Sequence, residues 1–284
     1  MKYIGFVDYF IDEWHSNNYL VWIKELCAEK GLDIETKYAW SETETFEGKM
    51  STDEWCTLKN IEKCHSLDEL CEKSDYVMIL APANPEKHLE YAKTVLKYGK
   101  RTYIDKTFAP SLSEAESIYA LGQKYDCRLF STSALRYAAE LSEFGEVKGI
   151  KISGGGRSFD EYIVHQLEML VKLMGVGANR VKVFDSGISR MCVVKYHDGK
   201  TAFLDYFPKN RFHISVEDPD GITAETQIEA GYFKIMLDSI LNFFTNDILP
   251  FPKEETMEVI AIRDALLEGE NHPDTWIRIK GRLL

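Results

Sequence analysis

Through the first 131 residues, short apolar runs alternate with stretches whose apolar positions fall at helical spacing. This is the pattern of strands joined by helices that cover a parallel sheet. Residues 2–7 predict the first strand. Leu20, Ile23 and Leu26 mark one face of a helix over 17–29, with Gly31 placed to stop it. A second strand is expected at 34–38. The stretch from Ser41 to Glu54 is acidic and lacks an apolar period, so it reads as a surface loop or flap. Ser66-Leu67-Asp68-Glu69 and Ser111-Leu112-Ser113-Glu114 each carry a pattern that opens a helix. Strands are expected at 76–80, 101–104 and 128–131, and a helix over 86–98 stops at Gly99.

Past position 135 the pattern changes to shorter β-type runs with hairpin turns. Strands are expected at 147–153, 181–185, 191–196, 201–207, 214–217, 223–229 and 276–280, with helices over 160–174, 232–244 and 253–268. His197-Asp198-Gly199-Lys200 supplies one hairpin turn. The fold class is therefore α/β. A Rossmann-type doubly wound parallel sheet is expected over 1–132, then an α+β domain with a mostly antiparallel open sheet over 133–284. The last helix and strand are candidates to return to the first domain.

With 284 residues and 45% hydrophobic content, the chain can bury two cores. Its net charge of -12, with no basic cluster, argues against nucleic acid or anionic lipid as partners and leaves small molecules. The apolar run at the first residues is too short for a signal peptide, and none reaches the roughly 18 residues of a membrane span, so a cytoplasmic location is expected. The six cysteines include no CxxC pair and no Cys/His spacing suited to zinc. Reduced structural thiols and no metal site follow.

One ordered set of residues carries more. Asp75 through Asn84, then His88, Gly99-Lys100-Arg101 and Asp105-Lys106-Thr107, continue in register to Ser113-Glu114-Ala115, Arg136-Tyr137 and Leu266-Leu267-Glu268-Gly269. The set resembles the glucose-fructose oxidoreductase and inositol dehydrogenase (Gfo/Idh/MocA) family, most densely from 66 to 137. The resemblance implies a nicotinamide cofactor, NAD or NADP, whose nicotinamide end meets Pro82, Asn84, Asp105 and Lys106. The family's Glu-Lys-Pro signature becomes Asp105-Lys106-Thr107 here, with the cleft lysine kept. Its Asp-x-Gly-x-His-x-x-Asp segment becomes Glu161, Ile163, His165 and Glu168, which share one helix face. On this resemblance Lys106 and His165 are catalytic, His165 as proton acceptor, and Glu161 binds substrate or orients the ring. Arg136 and Tyr137 are the matching substrate-binding candidates. The implied reaction is hydride transfer between the cofactor and a secondary alcohol of a sugar, polyol or derivative. The family also implies a dimer, with Met191, Val193, Phe203 and Phe207 as candidate interface positions.

Residues 8–13 dissent. A dinucleotide fold carries G-x-G-x-x-G after its first strand, so that backbone amides approach the pyrophosphate. Here Asp8, Phe10 and Glu13 stand where those glycines would be. The second strand also lacks an acid for the adenosine ribose, with Glu42 the nearest candidate. Trp14 and His15, beside Asp12 and Glu13, instead gather indole, imidazole and carboxylate in a set suited to carbohydrate. A plainer reading has Ser16 or Asn17 capping the helix and Trp14 as packing. The alternative function is a cofactor-free family member that binds or senses a small molecule, or performs non-redox proton chemistry.

Overall fold

The computed structural model describes residues 1–281, and the chain divides into two compact units. The first comprises residues 1–132 together with Met236–Pro250. Its strands are β1 (Lys2–Asp8), β2 (Ile34–Ser41), β3 (Glu62–Lys63), β4 (Tyr76–Ile79), β5 (Thr102–Ile104) and β6 (Leu129–Phe130). They form one sheet in the order β3-β2-β1-β4-β5-β6, with every pairing parallel. This is the order of a doubly wound dinucleotide fold, with its reversal between β1 and β4. Ile4 to Asp8 are buried without a break, as a central strand covered on both faces requires.

Helices α1 (Trp14–Lys30), α2 (Thr52–Lys59), α3 (Leu67–Lys73), α4 (His88–Val95) and α5 (Leu112–Lys124) connect these strands. Gly31 ends α1 with φ of 65°, a left-handed conformation glycine adopts without steric cost. α2 lies where an acidic loop was expected as far as Glu54. Its signal is the sequence Ser51-Thr52-Asp53-Glu54, a capping box in which Ser51 accepts from the Glu54 amide and Glu54 from the Ser51 amide. Trp55 of this helix is fully buried and donates its indole N–H to Asn17 at 2.9 Å.

Helix α7 (Tyr232–Asn246) belongs to the first unit from Met236 onward. Phe244 stacks on Tyr76 at 4.8 Å and Phe243 meets Phe130 edge-on at 5.1 Å. Asp247, just beyond it, pairs with Arg101 and Arg128. This helix, and not the last helix and strand, is the part of the C-terminal half that groups with residues 1–132.

The second unit has a seven-stranded sheet formed by β7 (Gly149–Gly154), β8 (Ala178–Asp185), β9 (Arg190–Tyr196), β10 (Thr201–Tyr206), β11 (His213–Glu217), β12 (Thr223–Gln227) and β13 (Ile277–Arg278). Their order is β12-β11-β7-β10-β9-β8-β13, antiparallel except for the β7–β10 pair. Helices α6 (Phe159–Met174) and α8 (Lys253–Glu270) pack on each other and on this sheet. Strand alternation buries Cys192, Val194, Ala202 and Leu204 and leaves Met191, Phe203 and Phe207 exposed. The glycines at 154–156 close the end of β7 by contact. A side chain at Gly155 would collide with the Phe207 carbonyl, and those at Gly154 and Gly156 with the rings of Phe212 and Tyr162.

Candidate active site

In the first unit, the strand ends beside the order reversal gather the charged residues. Asp8 ends β1, Ala81 and Pro82 follow β4, and Asp105 and Lys106 follow β5. Open α/β sheets take their ligands at this position. Lys106 is 8% exposed, and its ammonium donates to the Pro82 carbonyl at 3.1 Å. Asp105 is buried, with Oδ1 accepting the Lys106 amide at 2.8 Å and lying 3.0 Å from the Tyr103 hydroxyl. Among the described residues its Oδ2 has no hydrogen-bond partner, and it lies 3.9 Å from Nε2 of His15. Asn84 turns to Glu86, at 2.9 Å. His88 holds the strand ends from beneath, its two ring nitrogens against the carbonyls of Leu80 at 2.9 Å and Phe108 at 3.0 Å. Burial pushes its pKa down.

The β1–α1 turn places Glu13, not Ser16 or Asn17, at the N-cap of α1. Oε1 of Glu13 accepts the amides of His15 at 2.5 Å and Ser16 at 3.1 Å, and the Ser16 hydroxyl lies within reach of the Glu13 amide. This is a capping box run in reverse, with the acid first and the serine third. Burial is the largest influence on Glu13 and pushes it up, but hydrogen bonds from His15 and Ser16 outweigh it and hold this carboxyl below the usual range. Asp8 behaves oppositely. It is fully buried, and burial followed by the Glu13 charge holds it well above the usual range. His15 thus joins the strand-end group, with Glu13 on one side and Asp105 on the other. Trp14 is half exposed and packs edge-on against His15 and Trp22.

Residues 42–50 are tied to the same turn. The Glu42 and Thr43 amides donate to the Asp8 and Tyr9 carbonyls at 3.1 and 2.8 Å, and the Met50 amide donates to Asp12 at 3.0 Å. Phe46 stacks on Phe10 at 4.2 Å with only 9° between the ring planes. Glu42 is committed to Lys87 and the Tyr91 hydroxyl, each at 2.7 Å. It does not present the open carboxylate that a ribose requires.

In the second unit, α6 carries the histidine. Nδ1 of His165 lies 2.6 Å from the Ser133 hydroxyl, with Tyr162 and Phe212 edge-on to the ring. The Ser133 amide donates to Oε1 of Glu168 at 3.0 Å, so Glu168 fixes the backbone that presents the hydroxyl. Glu161 pairs with Arg157 one turn back, and it is the Ser133 hydroxyl that lies beside the ring. Ser133 carries no motif of its own; its signal is adjacency to the Arg136-Tyr137 pair. Arg136 is 6% exposed. Its guanidinium bridges Glu168 and Glu255 and lies 3.8 Å over the Phe251 ring. Tyr137 follows on the same short 3-10 turn, half-buried.

A nicotinamide dinucleotide would need the α1 amides for its pyrophosphate. Oε1 of Glu13 already takes two of them, and Asp8 stands beside it. The phosphate end therefore does not fit the turn as it is built, although Pro82, Asp105 and Lys106 keep their places at the strand ends. The thiols add no chemistry. Burial pushes Cys56 and Cys71 up to about 12 and Cys64 and Cys127 up to about 11, which makes them inert.

Residues 45–133 match the family model described as oxidoreductase family, NAD-binding Rossmann fold. The match begins beyond the rewritten turn. The uncharacterized oxidoreductase YhhX of Escherichia coli (strain K12) is 30% identical over 90 residues, covering 28% of this chain and 26% of that relative's length. Among solved structures, GenD2 from gentamicin A biosynthesis, in complex with NAD, superposes with a TM-score of 0.79 at 12% identity, over 99% of this chain and 97% of its own. The UDP-N-acetylglucosamine 3-dehydrogenase GnnA of Acidithiobacillus ferrooxidans superposes with a TM-score of 0.75 at 12% identity, over 94% and 97%. At such identities the likeness is one of fold. The strand order and the superpositions give this chain the same fold as these structures, and residues 45–133 are similar to the NAD-binding Rossmann fold of the oxidoreductase family.

Proposed function

We propose that this chain catalyses reversible oxidation of a secondary alcohol in a sugar, polyol or derivative, with NAD or NADP as the family's redox partner. The carrying observation is Lys106, buried at the β5 end with its ammonium held by the Pro82 carbonyl. A fixed cation there can polarise a substrate oxygen and stabilise the alkoxide that forms as its proton leaves. The family pattern assigns acceptance of that proton to His165, whose Nδ1 lies beside the Ser133 hydroxyl. A nicotinamide held beside Pro82, Asp105 and Lys106 would supply the hydride acceptor.

A carbohydrate-like substrate agrees with the indole and imidazole of Trp14 and His15 beside the strand-end carboxylates. A homodimer is part of the same reading. Met191, Phe203 and Phe207 place exposed apolar area on one sheet face, which favours a symmetric partner. The doubly changed M191E/F203E chain should then be monomeric by light scattering. Six buried cysteines outside any disulfide support a cytoplasmic location.

Glu13 on the α1 amides favours a second reading, a cofactor-free protein that binds a small metabolite. Calorimetric titration with NAD+, NADH, NADP+ and NADPH separates the two. Micromolar binding of any one supports the oxidoreductase. Absence of binding for all four, with a sugar or polyol still bound, supports the second reading.

A further inference from the structure

The turn after β1 is missing its phosphate-loop glycines, yet the amides they would expose are not left unsatisfied. Oε1 of Glu13 accepts from the amides of His15 and Ser16, the second and third residues of α1. A carboxylate at a helix N-terminus satisfies the same orphan N–H groups, and the same positive end of the helix dipole, as a phosphate does.

The surroundings hold the carboxylate there. Asp12 accepts from the Asn17 side chain at 2.8 Å and from the Met50 amide at 3.0 Å, which fixes the turn to both α1 and the 42–50 segment. The ring of Phe46 covers Phe10, and the Ser16 hydroxyl donates to the Ile11 carbonyl across the turn. Asp8, buried at the strand end, adds a second acidic group facing the same place.

We propose that Glu13 is an internal stand-in for the dinucleotide pyrophosphate, seated on the α1 amides and displaced only when a dinucleotide binds. The proposal rests on the oxidoreductase reading, and it assigns this chain a weaker hold on the phosphate half of its cofactor than on the nicotinamide half. Glu13 is a residue that sets cofactor affinity, and it does so without belonging to the catalytic group.

The test is calorimetric titration of the full chain, wild type, Glu13→Gln and Glu13→Gly, with three probes: ADP for the phosphate half, nicotinamide mononucleotide for the other half, and NADH. Glu13→Gln removes the charge and keeps a capping oxygen, and Glu13→Gly frees the amides outright. Thermal unfolding confirms that each variant is folded. Both variants are expected to bind ADP and NADH at least roughly tenfold more tightly than wild type, as release of a charge-assisted acceptor implies. Affinity for nicotinamide mononucleotide should stay unchanged. Equal ADP and NADH affinity in wild type and both variants would overturn the proposal while leaving the oxidoreductase reading intact. If nicotinamide mononucleotide and NADH bind none of the three proteins, the oxidoreductase reading itself fails, and the stand-in role with it.

Discussion

The Ser133 hydroxyl and Nδ1 of His165 lie 2.6 Å apart, and the Ser133 amide is fixed in turn by Glu168. A three-residue chain thus sets the direction of the imidazole from within the second unit. Ser133→Ala should lower kcat roughly tenfold, the equivalent of one ordinary hydrogen bond of about 1.4 kcal/mol. KM should stay within about twofold, because a positioning residue acts on the reacting geometry more than on ground-state binding. Ser133→Thr, which retains the hydroxyl, should restore most of the rate. Steady-state kinetics of the two variants settle the matter, and a raised KM at unchanged kcat would point away from ring orientation.

Lys106→Ala removes the cation that the proposed reaction needs. Turnover should fall by about a thousandfold or more, while the thermal unfolding midpoint changes little. Retention of wild-type turnover would remove Lys106 from the mechanism.

Asp8 offers a pH-dependent test of the strand-end group. Burial and the neighbouring Glu13 raise its pKa, so the folded chain keeps this proton where the unfolded chain releases it. Its stabilising contribution is therefore complete below the unfolded carboxyl pKa and is lost as pH rises toward the folded value. Asp8→Asn should be more stable than wild type by about 1–3 kcal/mol at about pH 8, with the gain gone near about pH 3. Urea unfolding at the two pH values measures it. An equal difference at both would show that this group does not titrate as its burial implies.

Arg136 separates a structural role from a substrate contact. Replacing it with Met leaves Glu168 and Glu255 without their shared cation, Glu168 in a buried position. A loss of about 3–5 kcal/mol in unfolding free energy is expected, as measured by denaturant titration. Unchanged stability with a raised KM would return Arg136 to the substrate-binding set.

The pattern of strands and helices was legible because each element's period is local. Tyr76 to Ile79 and Phe159 to Met174 follow directly from apolar spacing and end signals. What a helix packs against is not local. The apolar stripe of α7 predicts burial equally well in either half of the chain, so the return of Met236–Pro250 to the first unit could not be read from it. Helix α2 was missed because its short, acidic sequence has little apolar period, although Ser51 and Glu54 gave a usable start signal. Lys106 and His165 were named as candidates through register. Ser133 and the capping role of Glu13 were not, because each depends on which backbone amide or ring a short side chain meets after folding.

Residues 154–156 affect how substitution data on this chain should be interpreted. Each glycine there sits against a carbonyl or ring that leaves no room for a Cβ. A saturation library would find these three positions as intolerant as any ligand loop, and their clustered glycines would invite comparison with a relocated phosphate grip. Their intolerance instead records close packing against the Phe207 carbonyl and the rings of Phe212 and Tyr162. Fitness alone would rank them with Lys106, but ligand titration of the folded variants would set them apart.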